Sequence, residues 1–145
     1  MTTKRSGTPW MTPAEYGRTL TGLTMNLIVR DILKSLPFYR EVLGFTVHYA
    51  DVDFAALQLD DAQVQLHADH TYDHQPWGPR LADASERGLG AEIRILGIDP
   101  DAAERRAREQ GAPILIGARD WPHGWRDVVL EDPDGYTFAV GTALT

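Results

Sequence analysis

The sequence contains no cysteine, and this absence excludes several kinds of chemistry at once. Thiolate catalysis, zinc sites with cysteine ligands and disulfide bridges all need a residue that the chain lacks. No apolar run approaches the roughly 20 residues that cross a bilayer, and the first residues lack the apolar core of a secretory signal. We therefore expect a cytoplasmic protein that makes no contact with membranes.

Positive charge is also scarce, since 14 Lys and Arg residues stand against 21 Asp and Glu residues and leave a net charge of -7. This balance argues against binding to nucleic acid or to an anionic membrane surface, and it favours a cationic partner. The chain has no Gly-x-Ser-x-Gly elbow and no phosphate-binding loop. Gly88 and Gly90 precede a strand, so they do not form a dinucleotide-binding turn.

The sequence does contain one motif twice, namely a short strand, an aspartate, an amphipathic helix and a glycine. The first copy uses Asp31 and Gly44, and the second uses Asp99 and Gly111. Strand and turn signals follow each copy. This duplication predicts an α+β protein of paired βαβββ modules that form a curved sheet with a cup, and such a cup is a place where small molecules bind.

Hydrophobic periodicity places the individual elements. We predict one domain over 21–145, with modules at about 21–68 and 89–141, and strands at 22–30, 45–49, 54–59, 62–67, 91–96, 113–116, 126–131 and 136–140. One helix lies within 32–43, capped by Asp31 or Ser35, and we expect Pro37 in a first turn that starts near Ser35. Residues 1–20 lack periodicity and are interpreted as an arm, anchored by Trp10 and Tyr16.

Alternation along the strands sorts side chains into two faces. Gln65 and His67 lie opposite the apolar face of their strand, and Glu92 and Arg94 do the same in the second module. In the first strand, Asn26 is likewise a polar side chain opposite the apolar Met25 and Leu27. Two interpretations remain open, because a polar face can line a binding cup or can simply meet solvent.

Two further clusters are candidates for binding. Trp121 and Trp125 flank a Pro-His-Gly turn, and their rings can stack on a flat or cationic ligand, close the end of the barrel or form a dimer seam. His67, His70 and His74 have spacings that suit a metal only if their segment is helical. Prolines follow closely, so we interpret this histidine tract as a solvated connecting loop.

Three segments together resemble the vicinal oxygen chelate superfamily, which contains glyoxalase I, extradiol dioxygenases, fosfomycin-resistance transferases and bleomycin-resistance proteins. They are Val29-Arg30-Asp31, the run 35–45 and Glu131-Asp132-Pro133-Asp134-Gly135-Tyr136. The resemblance covers residues 21–141. It implies two βαβββ modules forming an open curved barrel (the glyoxalase/bleomycin-resistance fold), commonly a homodimer, and metal ligands at four strand positions.

Those four positions fall on Thr24, Gln65, Glu92 and Ala139 in this chain. Alanine offers no donor and threonine a poor one, so the pattern departs from the metal-dependent members and resembles the metal-free bleomycin-resistance proteins. We therefore expect no cofactor, and a homodimer that sequesters a small, antibiotic-like molecule of cationic or aromatic character. The expected ligand-binding residues are Asn26, Gln65, His67, Glu92, Arg94, Trp121 and Trp125.

Two alternatives remain. In the first, Gln65, His67 and Glu92 hold a divalent metal ion, and Glu92 or His67 acts as a base in a lyase, isomerase or dioxygenase. In the second, the chain is an accessory domain with a vestigial cup, which would bind neither metal nor ligand. The residues leave open whether the protein is an enzyme, although the poor donor set favours binding alone.

Overall fold

A computed structural model of the chain describes residues 8–145, so the first seven residues of the predicted arm lie outside the described part. The chain divides into two compact units. The first comprises residues up to Lys34 together with Phe45–Asp83, and the second comprises Ser35–Gly44 and Ala84–Thr145. No helix within residues 8–145 has the length and apolar character needed to cross a bilayer.

Each unit contains one four-stranded sheet. The first has helix α1 (Pro13–Thr19) and strands β1 (Thr24–Val29), β2 (Thr46–Ala50), β3 (Phe54–Leu59) and β4 (Ala62–Ala68), in the spatial order β1-β4-β3-β2. The second has strands β5 (Glu92–Leu96), β6 (Ile114–Asp120), β7 (Trp125–Glu131) and β8 (Thr137–Ala143), in the order β5-β8-β7-β6. Its other elements are α3 (Pro100–Gln110) and the π-helical turn Phe38–Leu43, which continues α2 (Ile32–Pro37).

The two sheets repeat one topology. In each, the first strand runs parallel to the last, and the remaining neighbours are antiparallel. A strand, a helix and three further strands therefore occur twice, and the predicted α+β class with paired βαβββ modules is confirmed. The helical residues 35–44 follow β1 in sequence, yet they group with the second unit.

The start of α2 differs from the expectation. The helix begins at Ile32, and Asp31 Oδ1 accepts a hydrogen bond of 3.1 Å from the Lys34 N–H. The predicted start near Ser35 is therefore wrong, because Pro37 lies at the end of α2 rather than in a first turn. Proline has no N–H to continue the α-helical pattern, and the chain goes on as the wider π-helical turn, which ends at Gly44 with a φ of 89°.

Aromatic side chains hold the π-helical turn against the second sheet. The ring of the buried Phe138 lies 5.5 Å from that of Phe38 and 5.6 Å from that of Tyr39. Arg106 of α3 donates a hydrogen bond of 2.9 Å to the Val42 carbonyl. These contacts cover one face of the sheet, so the side chains of the opposite face are left outside this core.

Helix α1 was not predicted. Its start is a capping box, in which Thr12 Oγ1 accepts from the Glu15 N–H at 3.2 Å and Glu15 Oε2 accepts from the Thr12 N–H at 2.7 Å. Pro13 occupies the first helical position. The sequence does carry this signal as Thr-x-x-Glu with a proline, but a helix of seven residues has too few positions to show an apolar period.

A buried carboxylate closes the turn between β7 and β8. Asp132 Oδ2 accepts a hydrogen bond of 2.7 Å from the Tyr39 hydroxyl, while Oδ1 accepts from the N–H groups of Asp134 and Tyr136 at 2.9 and 2.8 Å. Burial raises the pKa of Asp132 to about 6, although the hydrogen bonds from Tyr39 and Tyr136 act in the opposite direction. This carboxyl therefore fixes both the turn and the π-helical segment.

We predict that Asp132 makes the free energy of unfolding fall as the pH rises from about 4 to about 6, because the folded state retains a proton that the unfolded state has already lost. The pKa rises from 3.8 to about 6, and a shift of about two pH units corresponds to about 3 kcal/mol. Chemical denaturation of the wild type and Asp132→Asn across this range measures the effect.

The free energy of unfolding of the wild type minus that of Asp132→Asn should fall with rising pH and become constant above about pH 6. Tyr39→Phe removes a hydrogen bond that favours the carboxylate, so its stability should continue to fall at higher pH than that of the wild type. A stability difference that does not vary with pH would contradict the assignment.

Candidate functional site

The polar face of the first sheet brings together three of the expected binding residues. Gln65 and His67 alternate with the buried Val64 and Leu66 along β4, and Asn26 is the neighbour of Gln65 in the parallel pairing with β1. The three side chains therefore lie together on the face of the sheet that points away from Val64 and Leu66.

A hydrogen-bond chain fixes the His67 ring. His67 Nδ1 lies 2.6 Å from Asn26 Oδ1, and Asn26 Nδ2 donates to the Tyr72 hydroxyl at 2.5 Å. Because an amide oxygen can only accept, Nδ1 of His67 is the donor in this bond, and in a singly protonated ring Nε2 is then the acceptor. The Tyr72 ring also packs edge-on against His67, with centroids 5.2 Å apart.

A cavity of about 180 Å³ lies between this face and the segment around α1. Gln65 and His67 form part of its lining on the sheet side, together with Phe54. Trp10 and Tyr16 line it from the N-terminal segment, and burial raises the pKa of the Tyr16 phenol. The arm anchors expected from the sequence thus border a cavity.

The second sheet carries a different constellation on its polar face. Arg94 Nε lies 3.0 Å from Glu92 Oε1, and the same guanidinium lies 3.5 Å from Asp127 Oδ2. The Trp121 indole N–H donates to Asp127 Oδ1 at 2.7 Å. These four side chains line a cavity of about 210 Å³. The Asp127 carboxylate is buried and contacts both side chains, which fixes the positions of Arg94 and Trp121.

Trp125 does not join this group. Trp121 and Trp125 flank a tight turn, where the Trp121 N–H donates to the Trp125 carbonyl at 2.7 Å and the Gly124 N–H donates to the Trp121 carbonyl at 3.1 Å. Trp121 lines the cavity of the second unit, whereas Trp125 is not among its lining residues. The two tryptophans that the sequence presents as a pair therefore have separate positions.

Asp127 is the main residue that the sequence analysis missed. It stands in β7 directly before Val128, Val129 and Leu130, all of which are buried. An acidic residue is unusual at the start of such an apolar run, and this is the signal in the sequence that could have identified Asp127. Asp127 contacts Arg94 of β5 and Trp121 of the turn before β7. No pattern in the sequence indicates that these side chains meet.

The histidine tract does not converge on a metal. His70 Nε2 lies 2.7 Å from Oδ1 of the buried Asp53, while His74 Nδ1 lies 3.7 Å from Asp73. Within residues 8–145, no group of three or more His, Asp or Glu side chains is arranged to hold a metal ion. Of the four positions mapped from the resemblance, Ala139 is buried and has no donor atom.

Both the sequence and the fold of this chain have counterparts among known proteins. The sequence profile of the glyoxalase/bleomycin resistance protein/dioxygenase superfamily matches residues 21–140. A glyoxalase-related enzyme from Fulvimarina pelagi is similar in structure, with a TM-score of 0.67, 17% identity and coverage of 85% of this chain and 88% of that one. No curated protein matches the chain.

Two further solved structures show the same fold. A glyoxalase/bleomycin resistance protein/dioxygenase family enzyme from Burkholderia phytofirmans has a TM-score of 0.65 at 23% identity, covering 83% of this chain and 98% of that one. A hypothetical protein from S. aureus has a TM-score of 0.66 at 18% identity, covering 86% and 94%. Because the family profile spans nearly the whole chain, this chain belongs to the glyoxalase/bleomycin resistance protein/dioxygenase superfamily.

Proposed function

We propose that the chain binds a small, antibiotic-like organic molecule at the polar faces of its sheets, without a metal ion, and sequesters it chemically unchanged. The observation that carries this proposal is the network of Glu92, Arg94, Asp127 and Trp121 beside a cavity. Cavities that combine an aromatic wall with a few fixed polar groups are typical of small-molecule sites.

The network supports binding because its members are held before a ligand arrives. The indole of Trp121 is fixed by Asp127, and the Arg119 guanidinium lies 4.3 Å from the centre of its ring. A fixed aromatic plane loses little conformational entropy when a flat ligand stacks on it. Glu92 remains about half exposed beside Arg94, so its carboxylate can also meet a cationic group of the ligand.

The same residues fit a divalent metal poorly. Glu92 is the only carboxylate among the positions mapped from the family, and the positive charge of Arg94 lies 3.0 Å from it. A divalent ion needs several oxygen or nitrogen donors at once, and here the one carboxylate is paired with a guanidinium while Ala139 supplies no donor atom. In the first unit, His67 belongs to no group of three or more His, Asp or Glu side chains within residues 8–145 that could hold a metal ion. The donor chemistry therefore favours binding without metal over the metal-dependent alternative.

We predict that the purified protein retains far less than one metal ion per chain. The untagged protein would be purified without chelator, incubated with manganese, iron, nickel and zinc salts, desalted and measured by elemental analysis. About one tightly held ion per chain would overturn the metal-free proposal. Glu92→Gln and His67→Gln would then show which donors hold the ion, and assays for isomerase, lyase and dioxygenase activity would follow.

We further predict that Arg94→Gln weakens ligand binding roughly tenfold, because it removes the charge that holds Glu92 and Asp127 in place. Quenching of tryptophan fluorescence by bleomycin and by other aromatic or cationic antibiotics measures the affinity, with and without EDTA. Mass spectrometry of the released compound shows whether it is unchanged.

Arg108→Gln is the matched control, since Arg108 also pairs with a glutamate at 3.2 Å but lies on α3, outside the residues that line the cavity. Its affinity should stay within roughly twofold of the wild type. Loss of binding on addition of EDTA, or chemical conversion of the compound, would contradict sequestration. Absence of binding by the whole panel would favour the accessory-domain alternative.

A further inference from the structure

The cavity of the first unit differs in chemistry from that of the second. The residues described as lining it are Pro9, Trp10, Met11, Pro13, Tyr16, Gly17, Leu20, Phe54, Gln65 and His67. None of them is Lys, Arg, Asp or Glu, and the titratable groups among them are the His67 ring and the Tyr16 phenol. Burying an unpaired charge in such surroundings is costly, so the lining selects against charged molecules.

Aromatic rings form part of the walls and are packed against one another. Trp10 stacks on Tyr49 with centroids 5.0 Å apart and planes 12° from parallel, and it also contacts Tyr16 at 5.4 Å. Tyr16 meets Phe54 edge-on at 5.4 Å, and Phe54 lies 4.9 Å from the His67 ring. Stacked and edge-on rings present flat surfaces at defined angles, which suit a planar ligand.

One polar group in this lining is available for recognition. The side-chain amide of Gln65 is partly buried and has no hydrogen-bond partner among residues 8–145. An amide both donates and accepts, so it pairs well with another amide or a similar neutral group. Since Gln65 lies on β4, which is held on both sides by neighbouring strands, its position is fixed by the sheet.

The wall formed by residues 9–20 is lightly held. None of the residues of α1 is buried, and Trp10 is 42% exposed. The segment rests on the sheet through its two rings and through Gln63, whose side-chain amide donates to the Thr19 carbonyl at 3.5 Å and accepts from the N–H of the adjoining Thr21 at 3.2 Å. A segment with few buried contacts opens at low free-energy cost, so this wall can admit a ligand and close over it.

We propose that this cavity binds an uncharged, planar molecule of one or two aromatic rings that carries an amide-like group, and that residues 9–20 close over it. The ring stacks against Trp10 and the neutral polar group pairs with Gln65. This inference rests on the proposed function, because it names the ligand class for one of the polar faces.

Three probes with the same ring test the ligand class: neutral indole-3-acetamide, cationic tryptamine and anionic indole-3-acetate. Each is titrated into protein labelled with fluorotryptophan, and fluorine NMR follows the four tryptophans separately. We expect indole-3-acetamide to shift the Trp10 resonance most and to bind roughly tenfold more tightly than either charged probe. The net charge of -7 would otherwise favour tryptamine, which makes the comparison discriminating.

Variants locate the site. Trp10→Leu should weaken binding of indole-3-acetamide roughly tenfold. Indole itself, titrated as a fourth probe without the amide, should bind more weakly than indole-3-acetamide to the wild type, and Gln65→Leu should remove that difference. Trp77→Leu is the matched control, because Trp77 is 41% exposed, lies in the same unit and does not line the cavity. Circular dichroism confirms that each variant is folded, and the probe comparison in the wild type needs no variant at all.

The inference is overturned if tryptamine or indole-3-acetate binds most tightly, if none of the probes binds, or if Trp10→Leu and Trp77→Leu weaken binding equally. It is supported if the neutral probe binds best and only Trp10→Leu and Gln65→Leu impair it. Its failure is distinguishable from failure of the proposed function, which is read from the antibiotic panel and from Arg94→Gln.

Discussion

Strand alternation in two half-covered sheets is the constraint from which the other features of this protein follow. In the second unit the π-helical turn and α3 cover one face of the sheet, so only every second side chain along a strand enters this core and the side chains between them lie on the opposite face. Glu92, Arg94 and Asp127 collect on the opposite face, as Gln65 and His67 do in the first unit. Each of these faces borders a cavity, and the chemistry of each cavity is set by a few strand positions.

The segments that identify the family are tied together in the structure, and this explains why they indicate a fold and not a reaction. Tyr39 comes from one segment and Asp132 from another, and their buried hydrogen bond of 2.7 Å joins the π-helical turn to the turn after β7. The carboxylate also accepts two backbone N–H groups and is buried, so its contacts stabilise the scaffold. Segments of this kind preserve the scaffold, while the cavities lie among less distinctive residues.

The sequence predicted every strand of both sheets and the helix from Pro100, because period-two patterning and strong caps such as Asp99 and Gly111 are local signals. It misplaced the start of α2, since Pro37 suggested a first turn and the π-helical continuation has no sequence signature. It missed the contact of Arg94 with Asp127 and the stacking of Trp10 on Tyr49, because both join residues distant in the chain. Long-range pairing of single side chains is not encoded in a local pattern.

The central claim is that the polar faces of the sheets are binding surfaces and not merely solvated ones. Amide NMR of the labelled protein, titrated with the antibiotic that binds most tightly in the fluorescence screen, tests it directly. The account predicts that the largest shift changes fall on β4, β5 and β7, at residues such as Gln65, Arg94 and Asp127. Shift changes confined to α3 and the outer loops would contradict it, because the ligand would then bind outside both polar faces.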